Sequence, residues 1–348
     1  MLAGGEGKRL RPFIYLLRRD LLPKQYVNFI GRRSMLEHTI NRAEKIVASR
    51  NVFTIISKNH LGFANVRRQI ADRDPETVIV QPQNKETAPG ILFALMRIVK
   101  RRSNSIITIL PSDHFVLEED ELVKYLKLAG RWVKRDPARL ALIGVEPDRD
   151  ESEYGYILPG RRIKRSGNPV FQISSFIEKP DDQTAQKLAH HGALWNTMMM
   201  VAKTDALLEL TRRLLPAVFD AFQSVYDAIG TPDEETVVEE VYEKLLPINF
   251  SKEILEPAAR DPFSKLMTIP VRNVLWSDWG SESRIMEVLR KTGNASRLNG
   301  LTPAPGFESE VNFGLLPMEP TRTRAAPLQA GTSRTRQPAV ALPSRSPL

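Results

Sequence analysis

Short runs of Val, Ile and Leu alternate along the chain with longer stretches in which apolar residues return every three or four positions. The short runs predict strands at 52–56, 77–81, 105–110, 140–145, 170–178, 198–202 and 266–271. The 3.6-periodic stretches predict helices at 34–48, 63–71, 87–101, 119–135, 182–191, 204–213, 216–229, 235–246 and 281–291. Strand–helix alternation of this kind predicts an α/β fold: a doubly wound, mostly parallel mixed sheet with helices on both faces. In such sheets ligands bind beyond the carboxyl ends of the strands. The polar break PSDH at 111–114 follows the strand at 105–110, and the EKP of FIEKP closes the strand at 170–178, so both stand where site residues belong. The Met198–Met200 run reads as buried strand rather than a functional methionine face.

The periodic pattern ends near residue 300, which divides the 348-residue chain into a folded body at 1–300 and a tail at 301–348. The tail is rich in Pro, Thr, Ser, Arg and Ala and is expected to be disordered, because it cannot bury enough apolar area to offset its ordering entropy. The net charge of +9 invites a nucleic-acid partner, but beyond Glu319 stand five Arg and no acid, so 9 − 5 leaves only +4 on the rest of the chain. The Arg-rich segment lacks the interleaved aromatics on which single strands stack, which argues against that partner. Zero Cys excludes disulfides, a thiolate nucleophile and a Cys-based zinc site. No apolar run has membrane-spanning length. The Gly-rich loop begins at the second residue with no signal peptide ahead of it, so a cytoplasmic protein with no membrane partner is expected.

That loop, LAGGEGKRL at 2–10, carries the first candidate chemistry. Gly4, Gly5 and Gly7 permit backbone angles closed to other residues and let N–H groups approach an anion. Lys8, Arg9 and Arg11 lie in or beside the loop, and Lys24 follows in PKQ at 23–25. The stretch is neither a Walker A loop nor a dinucleotide fingerprint, and a tight turn is the bland alternative.

Further blocks follow: QPQNKETAP at 81–89, PSDH at 111–114, EYGYI at 153–157, FIEKP at 176–180, LWNT at 194–197 and WSDWG at 276–280. Together and in this order they resemble the sugar-1-phosphate nucleotidylyltransferases, over residues 2 to about 290. Within that family the PKQ, the TAP and the WN look most like the mannose-1-phosphate guanylyltransferases. The resemblance implies a Rossmann-like nucleotide-diphospho-sugar transferase fold for residues 1–300. It implies attack by the phosphate of mannose 1-phosphate on the α-phosphorus of GTP, releasing pyrophosphate with no covalent enzyme intermediate. Another NTP, another hexose 1-phosphate, or a catalytically weak nucleotide-sugar-binding homologue are the alternatives, and a homo-oligomer is compatible with the pattern.

By the same resemblance Arg9, Lys24 and Asp113 are catalytic, and Gly4, Gly5, Gly7, Gln83 and Thr87 bind nucleotide. Glu178, Lys179 and Asn196 bind the sugar phosphate: an ammonium suits a phosphate, and a carboxylate or an amide suits hydroxyls. Asp113 and Asp278 are the implied ligands of Mg²⁺, which favours few carboxylates plus phosphate oxygens and water. A sensor would have no need of that pair. The structural alternative for each Asp is a turn former.

Several positions depart from the family. FIYLLRRDLL at 13–22 has no Ser, and no Trp stands before Pro12. Met198 stands where relatives carry Gly, and its bulk bears on which sugar fits. Only Met1 and Leu2 stand where relatives have an apolar strand before the loop, so a strand encoded upstream is expected. No hexapeptide repeat or cupin-like segment follows, which argues against a bifunctional form. Trp195 reads as packing, His114 as a structural hydrogen-bonder, His190 and His191 as a helix end, 100–102 as a solvated helix end and 161–165 as a turn.

Overall fold

The computed structural model describes residues 1–164 and 168–294. Its strands are β1 (Thr54–Ser57), β2 (Val78–Gln81), β3 (Ile106–Ile109), β4 (Phe115–Val116), β5 (Leu140–Val145), β6 (Tyr156–Lys164), β7 (Val170–Ile177), β8 (Leu194–Lys203), β9 (Leu266–Val271) and β10 (Trp276–Ser277). Its helices are α1 (Arg11–Arg18), α2 (Met35–Glu44), α3 (Ala64–Ile70), α4 (Thr87–Arg101), α5 (Glu119–Arg135), α6 (Asp182–His190), α7 (Thr204–Leu214), α8 (Pro216–Ala228), α9 (Glu234–Lys244), α10 (Glu256–Arg260) and α11 (Glu282–Lys291). No described helix is long and apolar enough to cross a membrane. The tail expected at 301–348 lies outside the described residues.

Six strands form one sheet in the order β3-β8-β5-β9-β7-β6. β5 and β9 are parallel, while β8 and β7 run against their neighbours. β1 and β2 form a parallel pair. Leu2 links this pair to the large sheet through parallel bridges to Ile55 and Pro111. Six of the eight longer strands therefore point one way, giving the expected mixed, mostly parallel arrangement. β5 is apolar throughout because both faces are covered. Ala141 and Ile143 join a cluster with α2 and α5, and Leu140 and Leu142 join one with α4, α8 and α9.

Two expectations are corrected. Residues 161–164 are not part of a turn but the end of β6, paired antiparallel to β7 with repeated register shifts. Pro159 and Gly160 interrupt the alternation there, which hides an edge strand from a period-2 reading. Residues 11–18 form α1, with Pro12 in the first turn and Ile14 buried, where no helix was expected.

Met1–Ala3 is a stub held on both sides. Leu2 N–H donates to Leu110 O (2.9 Å), Ala3 N–H to Ile55 O (2.8 Å) and Ile55 N–H to Met1 O (2.9 Å). The Met1 amino group donates to Phe53 O (2.6 Å), and burial pushes its pKa down to about 5. Beside it lies a groove of about 1030 Å³ between the facing edges of β1 and β3, lined by Val52, Phe53, Ile106 and Ile107 among others.

Candidate active site

The glycine loop is braced by buried side chains. Gln25 Nε2 donates to both Ala3 O and Gly5 O at 2.8 Å. The Tyr26 hydroxyl donates to Ala3 O (3.1 Å) and meets His60 Nδ1 at 3.1 Å. Gly4 lies against Gln81, at the end of β2: a Cβ there would sit 2.3 Å from Gln81 Nε2. Gly7, at φ +57°, turns the chain into the short 3₁₀ turn Lys8–Leu10 in a conformation that favours glycine. Gly5 has open space around it.

Lys24 passes behind Gly7 into the acidic pair. Its buried ammonium donates to Asp278 O (2.7 Å) and Trp279 O (3.3 Å) and lies 3.1 Å from Asp113 Oδ2. Burial alone would raise the Asp113 pKa, but Lys24 and His114 bring it below the usual carboxylate range. His114 sits edge-on to Trp276, and burial lowers its pKa. Asp278 follows β10. Its Oδ1 accepts from the Tyr154 hydroxyl (2.7 Å), Gly280 N–H (3.0 Å) and Arg284 Nη1 (3.1 Å), and its Oδ2 accepts from Arg284 Nη1 (3.0 Å). Burial works against ionisation of Asp278 too, yet Lys24 and Arg284 hold its pKa low.

The segment Glu153–Tyr154–Gly155 joins this pair to the other half of the site. Glu153 pairs with Arg9 and Arg284, and Tyr154 bonds Asp278. Gly155 leaves room for Glu178: a Cβ there would lie 2.5 Å from Glu178 Oε2 and 3.4 Å from Asn196 Cβ. Asn196 N–H donates to Gly155 O (2.7 Å), and its side-chain amide reaches Ser251 Oγ (3.4 Å). Burial raises the Glu178 pKa, with Lys179 and Ser251 opposing. Lys179 follows β7, exposed and at φ +48°.

The profile of the family described as Nucleotidyl transferase matches residues 1–295. The chain belongs to that family. It is 27% identical over 301 residues to the xanthan biosynthesis protein XanB of Xanthomonas campestris pv. campestris, covering 86% of this chain and 61% of that protein. It is 28% identical over 306 residues to a mannose-1-phosphate guanylyltransferase of Escherichia coli, with the same coverage of 86% and 61%. The chain thus spans about three-fifths of the length of the curated relatives it matches. A crystal structure from Thermus thermophilus, described as mannose-1-phosphate geranyltransferase, superposes with a TM-score of 0.66 at 25% identity, over 80% of this chain and 75% of that one.

Within this member of the family, Gly4, Gly5, Gly7, Arg9, Lys24, Asp113 and Asp278 converge, and Glu178 and Asn196 join them through Gly155. Thr87 starts α4, and its Oγ1 accepts from Phe250 N–H (2.8 Å), so it anchors the segment leading to Ser251. Gln83 is exposed in the loop before α4. Trp195 packs on Tyr154, as expected of a packing residue (4.8 Å between rings). His190 and His191 bond carbonyls of the last turn of α6, also as expected. Sequence reasoning missed Gln25, Gln81, Tyr154, Ser251 and Arg284. Arg284 left a signal: it shares the buried face of α11 with Ile285, Val288 and Leu289, where a charge needs a partner.

The donor set fits a divalent ion at Asp113 better than at Asp278. Asp113 is a third exposed and has spare acceptor positions beside its contact with Lys24. The Asp278 carboxylate is filled by protein donors. Among the described residues no group of three or more His, Cys, Asp or Glu could hold a metal by itself. Mg²⁺ commonly binds one or two carboxylates and completes its shell with substrate phosphates.

Proposed function

We propose that this chain catalyses Mg²⁺-dependent nucleotidyl transfer from GTP to mannose 1-phosphate, giving GDP-mannose and pyrophosphate. The observation that carries the reading is the placement of Lys24, whose ammonium is fixed on Asp113 and Asp278 while its side chain runs behind the glycine loop. The braced loop and Arg9 bind the triphosphate, and Lys24 offsets charge as pyrophosphate departs. Lys179 takes the phosphate of the sugar, Glu178 and Asn196 take its hydroxyls, and Gln83 and Thr87 face the base. Asp113 would hold the divalent ion, which when bound supplies charge neutralisation between the reacting phosphates. No side chain forms a covalent intermediate: alignment of the two substrates supplies much of the rate. The relatives named mannose-1-phosphate guanylyltransferase support the choice of GTP and mannose. The absence of cysteine suits a cytoplasmic setting.

Pyrophosphate release across four NTPs and several hexose 1-phosphates tests the assignment. GTP with mannose 1-phosphate should give the highest kcat/KM, and a better rate with another pair would reassign the substrates. The reading confines the activity to residues 1–300. A chain ending at Leu301 should keep its turnover and melting midpoint, and a large loss of either would show that the tail contributes.

A further inference from the structure

Arg284 stands on the carboxylate that a divalent ion would need. Its Nη1 lies 3.1 Å from Asp278 Oδ1 and 3.0 Å from Oδ2. Its Nη2 lies 2.5 Å from Glu151 Oε2 and 3.1 Å from Glu153 Oε2. The guanidinium carbon sits 4.6 Å from the centre of the Tyr154 ring. The side chain is only 6% exposed, so the cation is built into the site rather than resting on it. Among the described residues, Asp278 Oδ1 already accepts from three donors, and Oδ2 accepts only from Arg284. Oδ2 is therefore the Asp278 position that a metal shared with Asp113 would take, and Arg284 holds it.

Charge balance points the same way. Asp113, Asp278, Glu151 and Glu153 supply four negative charges, while Lys24, Arg9 and Arg284 supply three positive ones. The cluster is nearly neutral with Arg284 in place, and its attraction for a further cation is weak. With Arg284 displaced toward Glu151 and Glu153, Asp278 Oδ2 opens and the charge around it becomes more negative. The two acids that already bind Nη2 give the guanidinium somewhere to go.

We propose that Arg284 competes with the divalent ion for Asp278, so that a built-in guanidinium sets the metal affinity of the site. This rests on the reading of Asp113 as holder of the ion, with Asp278 as a second ligand once Arg284 leaves it. A ligand that binds only the minor, open arrangement is weakened by the fraction of molecules in that arrangement. Occupation of Asp278 by Arg284 is the closed arrangement, and removal of Arg284 lifts the penalty.

The test is Mn²⁺ binding to the full chain without nucleotide, followed by the electron paramagnetic resonance signal of the free ion. Arg284→Gln should tighten Mn²⁺ binding roughly tenfold or more, as expected where the open arrangement is a minor one. In an Asp278→Asn background the same substitution should change affinity less than about twofold, because the contested oxygen is gone. Arg284→Lys keeps the charge without the planar fork and should fall between the wild type and Arg284→Gln; it also serves if the glutamine variant folds poorly. Unchanged or weaker binding in both Arg284 variants would overturn the proposal and make Arg284 a support for Asp278. Equal tightening with and without the Asp278 carboxylate would overturn it too, as would no Mn²⁺ binding in any variant. Because no substrate is present, these outcomes are independent of whether the chain uses GTP and mannose 1-phosphate.

Discussion

The ammonium of Lys24 lies 3.1 Å from Asp113 Oδ2, while a Cβ on Gly7 would sit 3.5 Å from its Cγ, so one buried lysine runs beside the glycine loop to the acidic pair. Asp113→Ala should lose ~3–5 kcal/mol of transition-state stabilisation, a fall of roughly 10²–10⁴ in turnover, with the fold retained. Single-turnover rates beside a melting curve decide it. A well-folded variant with ordinary turnover would remove Asp113 from the chemistry.

The same contact has a pH signature. The Asp113 pKa is depressed in the folded chain, so its contribution to stability is present above the ordinary carboxylate pKa and fades as pH falls through the lowered value. Lys24→Met removes the main source of that lowering and leaves burial to oppose ionisation. The difference in melting midpoint between wild type and Lys24→Met should be large near neutral pH and shrink as the pH falls below the usual carboxylate range. A difference independent of pH would mean that Lys24 stabilises by packing alone.

Arg9 and Lys179 should separate the substrates. Arg9 pairs with Glu153 beside the loop, whereas Lys179 follows β7 next to Glu178. Arg9→Ala should raise KM for the NTP and lower kcat, while Lys179→Ala should chiefly raise KM for the sugar phosphate. A Lys179→Ala variant altered only in its NTP dependence would reverse that assignment.

Met198 sits at φ +56° in an irregular stretch of β8, with its sulfur 2.9 Å from Ser251 Oγ. The left-handed conformation costs a non-glycine residue roughly 1–2 kcal/mol. Met198→Gly should therefore melt higher than Met198→Ala, the reverse of the usual order inside a strand. An alanine variant more stable than the glycine variant would show that the backbone relaxes.

Some of this was legible before any coordinates. α4, α5, β5 and β9 match their predicted limits residue for residue, because each has a clear helical period or a nearly continuous apolar run. α1 and β6 escaped because Pro12 reads as a break and Pro159-Gly160 disrupts alternation on an edge strand. The glycine loop, Lys24 and the acidic pair were legible as motifs. What braces or contests them was not: Gln25, Gln81 and Arg284 act on partners that only the fold brings near, and Arg284 alone left a mark, as a charge on an apolar helix face.

The groove beside Met1 gives a prediction about stability. About five or six strand-forming apolar residues fused ahead of Met1 should enter between β1 and β3, where each buried Val, Leu or Ile adds ~1.5–3 kcal/mol before ordering entropy is subtracted. The fusion also replaces the buried amine by an amide. That amine is harder to protonate in the folded chain, so the unfolded chain binds more protons and stability should rise between pH 5 and about 8. The fused chain should melt higher and lose that part of the pH dependence. An unchanged midpoint would mean that the groove does not accept a strand.

The most direct test of the central claim is isotope exchange. The chain should incorporate labelled pyrophosphate into GTP when GDP-mannose and Mg²⁺ are present, because that is the proposed transfer run backwards, and it should incorporate none when GTP is the only nucleotide. Exchange into GTP without any sugar nucleotide would reveal a covalent nucleotidyl-enzyme and contradict direct transfer, and no exchange under either condition would contradict the proposed reaction itself.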